Sequence, residues 1–203
     1  MQIRPLDLPG AYELTPRLWD DERGTFLEWY RADELAEATG VSLELHQANT
    51  SVSQRGVLRG IHFADTPPGQ AKHVTVTRGA VIDFIVDIRV GSPNFGSWSS
   101  VRLDDVTRKA VYIAEGLGHA FVALESDTTV SYLVSSVYNP SIERAISPFD
   151  PTIALEFPSD LPELIVSVKD REAPTLDDLA QAGVLPLWSE LRPFAGVFRG
   201  EEA

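Results

Sequence analysis

Along most of the chain, apolar and polar residues alternate in short runs broken by Gly, Pro, Asp or Asn, the signature of antiparallel strands. The clearest run is AVIDFIVDIRV at 80–90. There Ile82, Phe84, Val86, Ile88 and Val90 fall on one parity and Asp83, Asp87 and Arg89 on the other, so the two faces of the strand differ chemically. The same pattern predicts strands near 24–31, 43–52, 57–63, 72–78, 97–104, 110–113, 119–124 and 128–138, with turns at PPG (67–69), RG (78–79) and GSPNFG (91–96). So many short strands in sequence predict an all-β fold, a jelly roll or a related barrel.

Helix is scarce and peripheral. ADELAEATG (32–40) has helical apolar spacing and ends at a Gly stop, and APTLDDLAQAG (173–183) repeats the form with Thr175 as its cap. The Pro-rich stretch 140–162 is expected to run irregularly over the barrel surface. The pattern predicts one jelly-roll domain over 1–188 followed by a loosely held tail, 189–203.

Composition narrows the chemistry. At 203 residues, with 43% hydrophobic and 23% charged residues, the chain has the balance of a single folded domain. It contains no cysteine, which removes disulfides, thiolate metal sites and thiol nucleophiles. No run approaches the roughly 20 apolar residues that span a bilayer, and MQIRPLDLPG lacks the apolar stretch of a secretory signal, so a cytoplasmic protein without membrane partners is expected. A net charge of −13 argues against nucleic-acid binding, which rests on Lys and Arg neutralising phosphates. A small phosphate ligand needs only local positive charge, and Arg55, Arg59, Lys72 and Arg78 supply it within one short region.

The region richest in chemistry is Arg59-Gly60-Ile61-His62-Phe63 followed by Pro67-Pro68-Gly69-Gln70-Ala71-Lys72. An imidazole titrates near neutral pH and can remove a proton, and a lysine can stabilise the negative oxygen that results. Together they suit enolate chemistry. Strict alternation places Arg59 and His62 on opposite faces, so both can line one site only if Gly60 marks a bulge or a sharp twist. His119 and Phe121 share a parity, as do Tyr132 and Tyr138, Gln47 and Asn49, and Phe26 and Glu28. A barrel lined with such residues calls for a polar occupant. Parity alone leaves open that the tyrosines only anchor to backbone and that the histidines only pack.

Metal-binding barrels of this shape use two histidines one residue apart with a carboxylate nearby. Here His62 is followed by Phe63-Ala64-Asp65, so that spacing is missing. A set of His62, His73 and His119 is the remaining metal reading, with Lys72 competing for the site; no metal is expected.

Taken together, ERGTFLEWY (22–30), HQANTSVS (46–53), RGVLRGIHF (55–63), PPGQAKHV (67–74), VIDFIVDIRVGSPNFGSW (81–98), AEGLGHAFVAL (114–124), SYLVSSVYNP (131–140) and SVKDREAPTL (167–176) resemble, in order, the dTDP-4-dehydrorhamnose 3,5-epimerase family. The resemblance implies a cupin-type jelly-roll homodimer that epimerises dTDP-4-keto-6-deoxyhexoses beside the C4 ketone without a cofactor. It implies His62 as the base, Asp170 as the carboxylate that orients it, Lys72 as the group stabilising the C4 enolate and Tyr132 as the acid on the opposite face. Arg59, Gln47, Asn49, His119, Phe121 and Lys169 are similar to substrate contacts, and Tyr138 to an aromatic near the nucleotide. Arg23, Phe26 and Glu28 resemble residues lent by the partner subunit through an exchanged N-terminal strand.

PPGQAKHV, with His73 after the lysine, looks more like epimerases of antibiotic deoxysugar pathways than those making cell-wall rhamnose, and some of that group invert C3 alone. Two other functions fit a barrel of this kind. One is a dTDP-keto-sugar 3,4-ketoisomerase; the other is a non-catalytic cupin that binds a nucleotide sugar, which has no need of a base, its orienting carboxylate and an acid together.

Overall fold

The computed structural model describes residues 1–191, so the expected tail lies outside the described residues apart from its first three. In chain order the strands begin with β1 (Gln2–Pro5), β2 (Ala11–Thr15), β3 (Leu18–Asp21) and β4 (Gly24–Leu27), followed by helix α1 (Ala32–Thr39). Next come β5 (Gln47–Ser53), β6 (Val57–Ala64), β7 (Lys72–Arg78), β8 (Ala80–Asp87) and β9 (Trp98–Asp104). β10 (Ala110–Ile113), β11 (Leu117–Ala123), β12 (Thr128–Val134), β13 (Glu143–Ala145) and β14 (Ile165–Val166) complete the strands. Two short helices, α2 (Val168–Arg171) and α3 (Leu176–Gln181), follow.

One sheet runs β1-β2-β10-β7-β12-β5 and a second runs β13-β6-β11-β8-β9, with β14 added beside β6; β3 and β4 form a separate hairpin. Every pairing within the sheets is antiparallel except β14 on β6. This is the jelly roll that the alternation predicts. Both expected helices form. Gly40, at φ 73, stops α1, and Thr175 caps α3 in a reciprocal capping box with Asp178.

Several boundaries differ from the sequence pattern. The strand expected over 80–90 stops at Asp87, whose carboxylate turns the chain by accepting bonds from the Arg89 backbone and guanidinium and from Ser92. The strand expected over 128–138 stops at Val134, so shared parity does not govern where Tyr138 points relative to Tyr132. The strand expected over 24–31 is only Gly24–Leu27, which leaves Glu28 beyond it and removes the parity link with Phe26. The stretch 140–162 contains β13, paired to β6. β1 to β3 are four- or five-residue strands, too short for alternation to announce.

Cross-strand partners share a face. In β8 the polar parity turns out to be the inner one. Val81 and Ile85, which flank Asp83 on its parity, join the core cluster with Val74, Val111 and Val130, while Phe84, Val86 and Ile88 pack outward in a second cluster with Ile146, Ile153, Leu176 and Leu185. The C-terminal segment thus roofs the outside of the second sheet. With both faces of β8 buried, apolar parity alone could not mark the barrel interior.

The first sheet is roofed as well. His73 faces its register partner Tyr112 on the face opposite Lys72, and its ring lies against Trp29 and Tyr30, with centroids 5.6 and 5.1 Å away. Its Nε2 bonds the Trp29 carbonyl at 3.0 Å, and burial pushes its pKa down to about 4, so the ring is neutral at pH 7 and Nε2–H is the donor.

Candidate active site

The condition that the sequence places on Gly60 is met. Along β6 and β11, His62 pairs with His119 and Arg59 with Phe121, so three steps on β6 span two on β11. One extra residue sits in β6, a bulge that puts Arg59 and His62 on the same face. Gly60 occupies it at φ +107, where an added Cβ would collide with the His119 carbonyl oxygen and lie 2.7 Å from Ala120 Cα.

Register then assigns the remaining residues. Phe121 pairs with Asp83, and Glu143 pairs with Ala64, two residues from His62, so Arg59, His62, Asp83, His119, Phe121 and Glu143 share the inner face of the second sheet. On the first sheet Tyr132 pairs with both Asn49 and Val74, and Val134 pairs with both Gln47 and Lys72. Gln47, Asn49, Lys72 and Tyr132 therefore share that sheet's inner face. Eight of the barrel residues singled out in the sequence converge on the space between the sheets.

Two histidine–carboxylate pairs stand side by side. His62 Nε2 lies 2.7 Å from Asp170 Oδ1, and His119 Nε2 lies 2.8 Å from Asp83 Oδ2. Asp170 reaches His62 because β14 docks parallel on β6 at Val57 and Leu58 and the chain then turns directly into α2, capped by Ser167. Burial pushes the Asp170 carboxyl up, but bonds from His62, Ser167 and the Gly60 amide outweigh that and hold it below its ordinary value. The carboxylate is thus ionised at neutral pH, Nε2 of His62 must donate, and Nδ1 keeps its lone pair. The His62 side chain is 35% exposed, so a ligand can reach it.

Lys72 is 8% exposed, and among the described residues it has no hydrogen-bond or ion-pair partner. Burial lowers its pKa, with Glu143 and Asp83 opposing that shift. Asp83 is fully buried, which raises its pKa against the pull of His119 and Lys72, and its Oδ1 has no hydrogen-bond partner among the described residues. Burial also raises the pKa of Tyr132; nearby Arg59 opposes the shift and Glu143 adds to it, so the phenol stays protonated and can donate. Such a set can remove a proton with one group, hold a developing oxyanion with a buried ammonium, and return a proton from the facing sheet.

Other expected residues lie apart. Arg23 pairs with Asp21 on the exposed β3–β4 hairpin, Phe26 is 67% exposed there against Trp19, and Glu28 bonds Arg31. Lys169 is exposed on α2 next to the buried Asp170. Tyr138 is exposed beyond β12, its backbone N–H held by Gln47 Oε1 at 2.9 Å. Of the four cations clustered in sequence, only Arg59 and Lys72 enter the site, because Arg55 pairs with Asp160 and Arg78 faces Asp127. His73 points away from His62 and His119, and among the described residues no three His, Asp or Glu side chains group as a metal site.

Comparison with known proteins identifies the family. The family model described as dTDP-4-dehydrorhamnose 3,5-epimerase matches residues 5–178. The chain belongs to the dTDP-4-dehydrorhamnose 3,5-epimerase family. It is 51% identical over 199 residues to a dTDP-4-dehydrorhamnose 3,5-epimerase of Mycolicibacterium smegmatis, covering 98% of each chain. It is 50% identical to a dTDP-4-dehydrorhamnose 3-epimerase of Streptomyces niveus, covering 93% of this chain and 90% of that one. The rmlC epimerase structure of Mycobacterium tuberculosis superposes with a TM-score of 0.91 at 48% identity, covering 93% of this chain and 95% of that one.

Two residues of the site escaped sequence reasoning. Asp83 carried a signal, as a carboxylate on the polar parity of an otherwise apolar strand. Glu143 carried none, lying in a stretch that reads as irregular.

If the bulge sets the site, Gly60→Ala should be severe, since both the positive φ and the backbone contact oppose a Cβ. A loss of about 2–4 kcal/mol in unfolding free energy is expected, read by urea denaturation. A variant as stable as wild type would show that β6 needs no glycine there.

Proposed function

We propose that this chain is a dTDP-4-keto-6-deoxyhexose epimerase of deoxysugar biosynthesis in the cytoplasm, acting at C3 and C5 or at C3 alone without a cofactor. The observation that carries this reading is the oriented His62–Asp170 pair on one sheet facing Tyr132 on the other, with Lys72 buried beside them. Nδ1 of His62 takes the proton from the carbon beside the ketone, the C–H electron pair becomes a carbon–carbon double bond to C4, and the carbonyl π pair moves onto the C4 oxygen as an enolate. Lys72 stabilises that oxygen. Tyr132 then delivers a proton to the other face of the same carbon, which inverts it and restores the ketone. Asp170 is the positioning group, and Arg59 supplies charge for the pyrophosphate.

Relatives of nearly equal identity bear 3-epimerase and 3,5-epimerase names, so overall likeness does not choose between one centre and two. Incubation with dTDP-4-keto-6-deoxyglucose in deuterated water reads both. Deuterium should enter at C3, with or without C5, while the ketone stays at C4. A ketone moved to C3 would mean a ketoisomerase, and no exchange at all would mean a binding protein. His62→Ala should slow the exchange by on the order of 10²–10⁴-fold with the fold retained.

The working unit of this reading is a homodimer in which the β3–β4 hairpin reaches the neighbouring site with Arg23, Phe26 and Glu28. Those residues are exposed in the isolated chain, and their hairpin pairs with neither sheet. Mixing His62→Ala with Arg23→Ala under full exchange, assayed at low substrate where neither variant alone turns over appreciably, should restore about a quarter of wild-type activity, because half the dimers are hybrids with one intact site. No recovery despite exchange would refute the sharing.

A further inference from the structure

His73 takes no part in the chemistry above, yet it is fully buried and adjacent in sequence to Lys72. Its contacts are specific. Nε2–H donates to the Trp29 carbonyl, and the ring packs between the Trp29 and Tyr30 side chains. Tyr30 in turn bonds the Leu43 carbonyl at 3.3 Å, and Leu35 of α1 is buried in the same cluster. Residues 29–43 are thereby clamped to the outer face of the first sheet. Residues 18–28, immediately before Trp29, are mostly exposed and carry Arg23, Phe26 and Glu28. Trp29, two residues after β4 ends at Leu27, is bonded through its carbonyl to His73 of β7 and so ties the C-terminal end of the hairpin to the first sheet, as β2 ties the N-terminal end.

We propose that His73 is a positioning residue for the partner subunit's active site, fixing the root of the β3–β4 hairpin so that its tip meets substrate bound next door. This rests on the shared-site reading above. The hairpin has two roots: β2, laddered between β1 and β10, holds the end at Thr15, and the His73–Trp29 bond sets the direction of the other, so rotation about the Trp29 peptide shifts the β4 side that carries Phe26 and Glu28. Because the lent residues bind substrate rather than react with it, loosening them weakens binding and spares the chemical step.

The test is kinetic. His73→Phe keeps the ring and its packing but removes the donor; it should raise KM roughly 3- to 10-fold while kcat stays within about 2-fold. His73→Leu is the second donor-free variant should phenylalanine not fold. His73→Gln restores an N–H donor and should bring KM back to within about 2-fold of wild type. A role in packing alone would change melting temperature in all three and leave KM unmoved in those that fold.

Subunit exchange then decides which site His73 serves. With His62→Ala in large excess, almost every His73→Phe chain sits in a hybrid whose working site receives the hairpin of the His62→Ala chain. That hairpin has its His73. KM in this mixture should return to the wild-type value. A KM that stays raised would mean that His73 acts within its own chain, through Lys72, and would overturn the proposal. An unaltered KM in the His73→Phe and His73→Leu homodimers would overturn it too. Arg23→Ala in the same excess of His62→Ala is the control: recovery there beside a raised KM for His73→Phe defeats the His73 assignment alone, and no recovery defeats the shared site and this inference with it.

Discussion

One extra residue in β6 decides what this barrel can do. Without the bulge at Gly60, Arg59 and His62 would face opposite sides, and the guanidinium and the imidazole would be split by a sheet. With it, both face inward, and the bulge backbone at Gly60 helps to keep the Asp170 carboxyl below its ordinary value. The same irregularity therefore aims the imidazole and helps to hold the group that orients it. β14 completes the arrangement from the far end of the chain, since its parallel docking on β6 delivers α2 next to His62.

The interior is expensive to build. Lys72, Asp83 and His119 are all buried between the sheets, where charge is costly unless it is paired or awaits a ligand. The fold offsets part of the cost through the two histidine–carboxylate pairs and, among the described residues, leaves part of it standing, in a Lys72 ammonium without a partner and one unbonded oxygen of Asp83. A keto-sugar suits that imbalance, because its carbonyl oxygen gains negative charge during reaction where the ammonium waits. In the proposed mechanism, His62 and Tyr132 on opposing sheets give the two proton transfers opposite faces of one carbon, which is the geometric requirement for inversion.

Much of this was legible in the sequence, for identifiable reasons. Alternation disclosed β5 to β9, β11 and β12 because those strands run seven or eight residues, long enough to show a period, and the Gly60 condition followed from counting parity between Arg59 and His62. Four-residue strands at the N-terminus gave no period to read. The strand at 80–90 announced two distinct faces but not which one looked inward, since a second core under the C-terminal segment buries the apolar face and frees the polar one for the cavity. No spacing rule links His62 to Asp170, 108 positions away; family resemblance alone suggested that pairing. Tyr138 was grouped with Tyr132 on a parity that lapses where β12 ends at Val134.

The chemistry turns on which nitrogen of His62 is free. An ionised Asp170 at 2.7 Å from Nε2 places the proton of the neutral ring on that nitrogen and leaves the Nδ1 lone pair for the role of base proposed above. Long-range proton–nitrogen NMR correlation of the His62 ring in the free enzyme, at a pH where the ring is neutral, observes this directly. The Nε2–H tautomer, with an unprotonated Nδ1, is the expected result. A neutral ring protonated at Nδ1 would contradict the assignment of His62 as a base oriented by Asp170.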